Sequence, residues 1–388
     1  MAKNGYKILD SDMHVFEPHD LYVKYMDAKW GDRIPRGQPR NTHGQIKFTF
    51  ADGKPIRPSG TQVLAATAPK QNSGESSPGE AEVAHRYAKP LARRYDNWSQ
   101  LDAMDEEGLD VAVLFRTFPL HCDDSLEAGY ANDLCKAWNN WMADFCKADP
   151  KRLRPSALIT LHDIDMAVDE ARRAIGELGA AGLCLVPEPI NGKHIHDRCY
   201  DPLWREAERL GAPICFHPAA SPNQDQAVHR FKGHSNEAVL INAFRNPIEL
   251  MFALGSFCAG GVLERFPKLR VAFLEAGSGW LPYMMDRMDE EMEKPYRVQA
   301  PLLKQKPSEL IRNGQIWTTC EVEEKALPQV LKQFNPQCLM WPSDYPHERL
   351  PDMFQRDLPE FFERDDLSDE TKKAILHDNP IDFYRLKI

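Results

Sequence analysis

Asp12 and His14 place a carboxylate and an imidazole two residues apart, just beyond the short apolar run Tyr6-Lys7-Ile8-Leu9-Asp10. On a β-strand, positions i and i+2 face the same side, so this spacing brings both groups to one point. A carboxylate oxygen beside an imidazole nitrogen is a donor pair for a divalent metal of hard or borderline character. Two protein donors alone hold an ion weakly, so other strand ends are expected to supply more.

Three later segments offer such groups. Ile214-Cys215-Phe216-His217-Pro218 is an apolar run ending in a histidine. Strand alternation puts Phe216 and His217 on opposite faces, so a Phe216 packed outward leaves His217 facing inward. A buried structural histidine is the competing reading. Leu339-Met340-Trp341-Pro342-Ser343-Asp344-Tyr345-Pro346-His347 ends an apolar run in a Ser-Asp pair followed by a proline-constrained loop. Asp344 there can ligate metal and handle a proton, or simply cap the loop. Val271-Ala272-Phe273-Leu274-Glu275 ends in a carboxylate, followed by Gly277-Ser278-Gly279, whose backbone is open to an anion-binding reading. Glu17 and His234 are further candidates for a second metal or a substrate contact; His229 lies in the same polar stretch as His234. The acidic run Asp102, Asp105, Glu106 and Glu107 reads as a solvated helix face, and His194 and His196 as surface loop residues.

These groups need elements to position them. Strands are predicted at Tyr6–Asp12, Val111–Arg116, Ser156–Leu161, Gly182–Val186, Pro213–His217, Leu269–Glu275, Gln315–Cys320 and Cys338–Ser343. Helical patterns are predicted between them at Glu127–Ala148, Met166–Leu178, Pro202–Leu210, Glu237–Glu264, Trp280–Glu293 and Glu324–Phe334, and at Ser368–His377 near the C-terminus, ended by Asn379-Pro380. Such alternation implies parallel strands with helical crossovers. Eight units closing on themselves make a (β/α)8 barrel with its working face at the strand C-termini. An open doubly wound sheet would spread the candidate residues too far apart. The chain is read as a single α/β barrel domain over 1–388. Residues 27–95 form an insertion after the first strand, rich in Pro, Gly and Ser, with a small hairpin around Ala51-Asp52-Gly53-Lys54, acting as a lid or a subunit contact.

Composition narrows the classes. A formal net charge of −10 argues against a nucleic-acid or anionic-membrane surface. The nine cysteines include no C-x-x-C pair, which excludes zinc-finger and thioredoxin readings and predicts free thiols in a reducing compartment. No secretory pattern opens the chain, and the most apolar stretch, 238–263, is interrupted by polar residues, so a cytoplasmic protein is expected.

Taken together, the segments resemble the amidohydrolase superfamily, in particular the branch holding aminocarboxymuconate-semialdehyde decarboxylase and the resorcylate-type decarboxylases. The resemblance is carried by Asp10-Ser11-Asp12-Met13-His14-Val15-Phe16-Glu17-Pro18, the stretch from Leu101 to Val113, Tyr200-Asp201-Pro202-Leu203-Trp204 and Phe216-His217-Pro218. It continues through Gly260 to Pro267, Glu275 to Pro282 and Ser343 to His347. It implies a distorted (β/α)8 barrel whose metal is held by Asp12, His14, His217 and Asp344. The sequence departs from the family pattern in having Asp-x-His rather than His-x-His on the first strand, and Glu275 where a histidine is common. Both departures add negative charge, which suits Mn or Fe better than Zn, or two ions rather than one.

The reading that follows is a metal-dependent enzyme hydrolysing or decarboxylating a small organic acid, amide or lactone, with Asp344 and His217 as catalytic residues. Its cofactor is one divalent ion (Zn, Mn or Fe), or two. The first alternative is a dinuclear Fe/Mn oxygen-activating monooxygenase using Asp12, His14, His217, Glu275 and Asp344 with Glu17 or His234. The second is a non-catalytic barrel subunit supporting a catalytic homologue. The expected partners are a small-molecule substrate and further subunits, in a homo-oligomer or a hetero-oligomer with a homologue.

Overall fold

The structure is a computed structural model and describes residues 5–38, 48–54, 56, 88–219, 230, 231, 233, 237–334, 336–347 and 353–388. Eight strands form one sheet in sequential order: β1 Leu9–His14, β2 Val111–Phe115, β3 Leu153–Leu158, β4 Gly182–Leu185, β5 Ile214–Phe216, β6 Val271–Phe273, β7 Ile316–Thr319 and β8 Leu339–Met340. Every neighbouring pair is parallel. The crossovers used below are helices α1 Ala128–Cys146, α2 Ile164–Gly176, α3 Asp201–Leu210, α4 Glu237–Ala259, α5 Trp280–Met292 and α6 Leu327–Gln333. Each of the eight expected strands is present. Among the described residues, no helix is long and apolar enough to cross a membrane.

The strands are buried along nearly their whole length because helices cover the outer face and side chains fill the inside. Phe216 shows the outward packing. Its ring lies 6.5 Å from Trp204 of α3 and 5.0 Å from Phe257 of α4. His217, the next residue, is thereby sent to the other face.

The seam between β1 and β8 is closed by backbone and carboxylate. Ser11 N donates to Trp341 O at 3.0 Å, Asp344 N to Asp12 O at 3.1 Å and His14 N to Tyr345 O at 2.7 Å. Strand β1 slips register between Asp10 and Met13. The Asp10 carboxylate holds this bulge, since its Oδ1 accepts from Asp12 N and from Ser343 N, each at 3.1 Å. On the outside, Tyr384 donates to Ser11 O at 2.8 Å and Asn379 donates to Leu339 O at 2.6 Å, so the C-terminal segment straps both strands. All nine cysteines are free thiols, and only Cys199 is exposed.

Two expectations are corrected. The helix predicted over 237–264 stops at Ala259 and restarts at Val262–Arg265, because Gly261 turns left-handed and a side chain at Gly260 would run into His196. The C-terminal helix begins with a Ser368 cap but does not end at Asn379-Pro380. A π-turn over Ala374–Asp378 leads into a further helix, Asn379–Tyr384, where Pro380 sits in the first turn and its missing N–H breaks no bond. In the insertion, the turn at 51–54 exists, with Phe50 N donating to Lys54 O at 2.9 Å. Across the same turn Ile56 N donates to Phe48 O at 3.4 Å, so the expected hairpin is present, and Phe48–Thr49 also pairs with Arg36–Gly37. Phe48 packs 5.6 Å from Phe118, in the loop leaving β2. The Pro/Gly/Ser-rich part of the insertion, Asn72 to Gly79, lies outside the described residues.

Asn139 of α1 joins three partners in the core. Its Nδ2 donates to Leu158 O at 3.0 Å and to Glu170 Oε1 at 2.6 Å, and its Oδ1 accepts from Leu158 N at 2.7 Å. Asn139→Ala leaves all three in a buried site and is expected to cost about 3 kcal/mol. Urea unfolding of the two proteins checks this through a lower midpoint at unchanged slope.

Candidate metal centre

The C-terminal ends of β1 and β5 bring three buried donors together. Asp12, His14 and His217 are 2%, 1% and 2% exposed, and their donor atoms all lie within 4.8 Å of one another. His14 Nε2 is 3.1 Å from His217 Nε2, 3.7 Å from Asp12 Oδ1 and 3.4 Å from Asp344 Oδ1. His217 Nε2 is 3.5 Å from Asp12 Oδ1, a buried oxygen with no hydrogen-bond partner among the described residues. Asp344 stands at the open side, its side chain 38% exposed.

The hydrogen bonds behind the rings fix their tautomers. His14 Nδ1 lies 2.6 Å from Arg116 O, and His217 Nδ1 lies 2.9 Å from Pro218 O. A carbonyl only accepts, so both Nδ1 atoms carry hydrogen and both neutral rings turn an Nε2 lone pair toward the other. Burial drives the His14 imidazole far below its ordinary pKa, and the nearby His347 and His217 add to this. Burial also opposes protonation of His217, but the Asp12 and Glu275 carboxylates outweigh it and hold that ring above the usual value. The pair therefore demands one positive charge between two nitrogens and a carboxylate oxygen. A divalent cation fits that demand, and the donor set of two imidazoles and carboxylates suits Zn, Mn or Fe.

The other expected residues take different places. Glu275 lies two residues beyond β6 and sits on the opposite edge of His217, with Oε2 3.5 Å from Nδ1. Glu17 is wholly buried, and its Oε1 accepts from Thr117 N at 3.0 Å, Phe118 N at 3.2 Å and Trp138 Nε1 at 3.1 Å. It ties the loop after β2 to α1 and joins neither donor group among the described residues. His229 and His234 lie outside the described residues. Gly277-Ser278-Gly279 offers no open anion cradle, because the Glu324 carboxylate occupies it. Ser278 N and Gly279 N donate to Oε1 at 2.5 and 3.0 Å, and Ser278 Oγ donates to Oε2 at 2.7 Å. In the acidic run, Glu107 is buried rather than solvated.

Two residues were missed by sequence reasoning. Arg116, at the end of β2, is 2% exposed, accepts from His14 through its carbonyl and donates through Nη2 to His217 O at 3.0 Å. A cation following the apolar run Val111–Phe115 was the available signal. His347 stacks on His14 with ring centroids 4.3 Å apart, and its Nδ1 is 3.7 Å from Asp344 Oδ1. Burial pushes its imidazole down to about 3.

A family model described as Amidohydrolase matches residues 83–386. The chain belongs to the amidohydrolase family. This amidohydrolase is 26% identical over 291 residues to 2-amino-3-carboxymuconate-6-semialdehyde decarboxylase of Dictyostelium discoideum, covering 74% of this chain and 76% of that one. It is 24% identical over 298 residues to gamma-resorcylate decarboxylase of Rhodococcus jostii, covering 74% of this chain and 87% of that one. Among solved structures, an amidohydrolase from Mycobacterium avium subsp. paratuberculosis shares the fold at a TM-score of 0.74 and 20% identity, covering 98% of this chain and all of that one. A 5-carboxyvanillate decarboxylase from Novosphingobium aromaticivorans, with bound manganese and 3-methoxy-4-hydroxy-5-nitrobenzoic acid, shares it at a TM-score of 0.69 and 19% identity, covering 98% of both chains.

Glu188, wholly buried beyond the end of β4, gives this amidohydrolase a pH signature. Burial pushes its carboxyl up to about 8; Glu249 adds to the shift and Arg116 opposes it. In the unfolded chain it ionises near 4.5. Between those values the folded state binds the extra proton, so its contribution to stability is whole below pH 4.5 and is lost as pH rises toward 8. Glu188→Gln should flatten that decline. Thermal melts of both proteins across the range check it; parallel pH profiles would remove Glu188 as its source.

Proposed function

We propose that this amidohydrolase is a metal-dependent carboxy-lyase that removes a carboxylate from an unsaturated or aromatic carbon of a small organic acid. The observation that carries the reading is the buried convergence of Asp12 Oδ1, His14 Nε2 and His217 Nε2 beside the more exposed Asp344. The decarboxylase relatives support the reaction class, since the acids they are named for bear a carboxyl group on such a carbon. Asp12, His14 and His217 would hold the ion, with Asp344 at its open side. Manganese is the proposed metal, supported by the carboxylate content of the shell and by the manganese in the structural relative.

A divalent ion held by Asp12, His14 and His217 would supply Lewis acidity toward an anionic oxygen of the substrate, positioning the carboxylate-bearing carbon before Asp344. Asp344 delivers a proton to the carbon that bears the carboxylate. The carbon–carbon bond then breaks, its electron pair stays on the substrate, and carbon dioxide leaves. Asp344 regains a proton from solvent, to which its 38% exposed side chain has access. Arg116 holds the backbone carbonyls of His217 and Pro218, keeping the His217 ring aimed inward. Glu275, on the outer edge of that ring, is assigned to positioning it. The same centre with Asp344 as base toward water would hydrolyse an amide or lactone, and assay of both product classes separates the two. A homo-oligomer remains part of the proposal.

Two variants test the reading. His217→Ala should lose most bound metal, measured by elemental analysis, while the circular dichroism spectrum is kept; full occupancy would remove His217 from the centre. Asp344→Asn keeps the shape but cannot pass a proton, so carbon dioxide release should fall at least about 100-fold. The metal content of the same sample must be measured, and a metal-replete variant with near-normal turnover would refute the proton role.

A further inference from the structure

The centre has donors beyond the buried group of three. His347 follows Asp344 by three residues, and its ring lies face to face with His14. Thr117 determines its tautomer. The Thr117 hydroxyl donates its single proton to Val15 O at 2.6 Å, and the same oxygen is 2.8 Å from His347 Nε2. That oxygen can only accept from the ring, so Nε2 carries the hydrogen and Nδ1 holds the lone pair. Nδ1 is also the atom nearest Asp344, 3.7 Å from its Oδ1. This repeats the arrangement of His14 and His217, where a hydrogen bond on one nitrogen presents the other as a ligand.

The donors fall into two groups. One is Asp12, His14 and His217; the other is His14, Asp344 and His347, each with its donor atoms within 4.8 Å of one another. An ion with bonds of about 2.1 Å keeps its donors within about 4.2 Å of one another. The four ligands expected from sequence do not make a single such group: Asp344 falls instead with His14 and His347. The His14 Nε2 lone pair serves one ion, which leaves Asp344 and His347 for an adjacent position. The side chains there are 38% and 25% exposed, whereas the three-residue group is buried.

We infer that His347 Nδ1 and Asp344 form a second divalent-cation position beside the buried one, open to solvent and substrate. The inference rests on the metal reading proposed above. A position with two protein ligands and the rest water binds more weakly than the buried one, and an anionic substrate group can complete it.

The test uses Mn2+ and the full chain. Metal-free protein is titrated with Mn2+ while free ion is followed by electron paramagnetic resonance, and the thermal melt of each variant is recorded. The wild type should show one tight and one weaker ion per chain. His347→Ala should keep the tight ion and lose the weaker one. Thr117→Val, which removes the acceptor that fixes the tautomer, should weaken the second ion roughly 10-fold or more and leave the first unchanged; it also serves if His347→Ala does not fold. A single class of one ion in wild type, unchanged in either variant, would overturn the second position while leaving the buried site standing. Loss of the tight ion in His347→Ala would also overturn it, by placing His347 at the first position. A wild type that binds no Mn2+ would overturn both readings.

Discussion

Everything at the mouth of this barrel depends on holding two imidazole lone pairs 3.1 Å apart in a buried place. Left to themselves the rings would turn away, since two acceptors repel and each has lost its water. Arg116 prevents this from both sides. Its carbonyl takes the His14 Nδ1 proton, and its guanidinium grips the carbonyls of His217 and Pro218. One residue on β2 thus fixes ligands from β1 and β5. The cost is a buried guanidinium, which the neighbouring Glu275 carboxylate helps to offset.

The seam between β1 and β8 does the same for the carboxylates. Strand β8 is two residues long, too short to set its own register, and Asp10 sets it instead by accepting from Ser343 N and Asp12 N. Just beyond, Asp344 adopts φ +55°, and Glu275 adopts φ +63° after β6. A side chain in the left-handed region costs on the order of 1–2 kcal/mol, and aspartate bears this better than glutamate. Both lie where a strand has just ended and the chain must turn sharply at the mouth. A fold that keeps this strain at two carboxylates on the working face has used packing elsewhere to hold them.

Much of this was legible in the sequence. The eight strands were readable because parallel barrel strands are short apolar runs with helical patterns between them, and the Asp12/His14 spacing carried its own geometry. The ring order placed His217 and Asp344 near that pair. What the sequence could not carry was the identity of partners distant along the chain. Glu17 reads as a spare metal ligand until the amides of Thr117 and Phe118 and the Trp138 ring are seen around one of its oxygens. Gly277-Ser278-Gly279 reads as an anion site until Glu324 is found in it. His347 lay in a recognised motif, but its role depends on which nitrogen holds the hydrogen, and Thr117 decides that. Pairings of this kind come from the closure of the barrel and have no local signature.

Charge connects the number of ions to the kind of substrate. Asp12, Asp344 and Glu275 set three formal negative charges around the mouth, and Arg116 returns one positive charge. Glu188 adds none at neutral pH, because burial holds it protonated. One divalent ion neutralises the remaining two charges and leaves a centre with little electrostatic pull on a carboxylate. A second ion leaves it positive by two, a net charge that attracts a carboxylate even at a solvent-exposed position. A neutral amide or lactone suits the first state, whereas the anion of an organic acid is drawn to the second. The Glu275 and Asp12 carboxylates move the centre toward needing more cation and so toward an anionic substrate. These two carboxylates therefore suit the proposed decarboxylation better than hydrolysis on a scaffold that supports both.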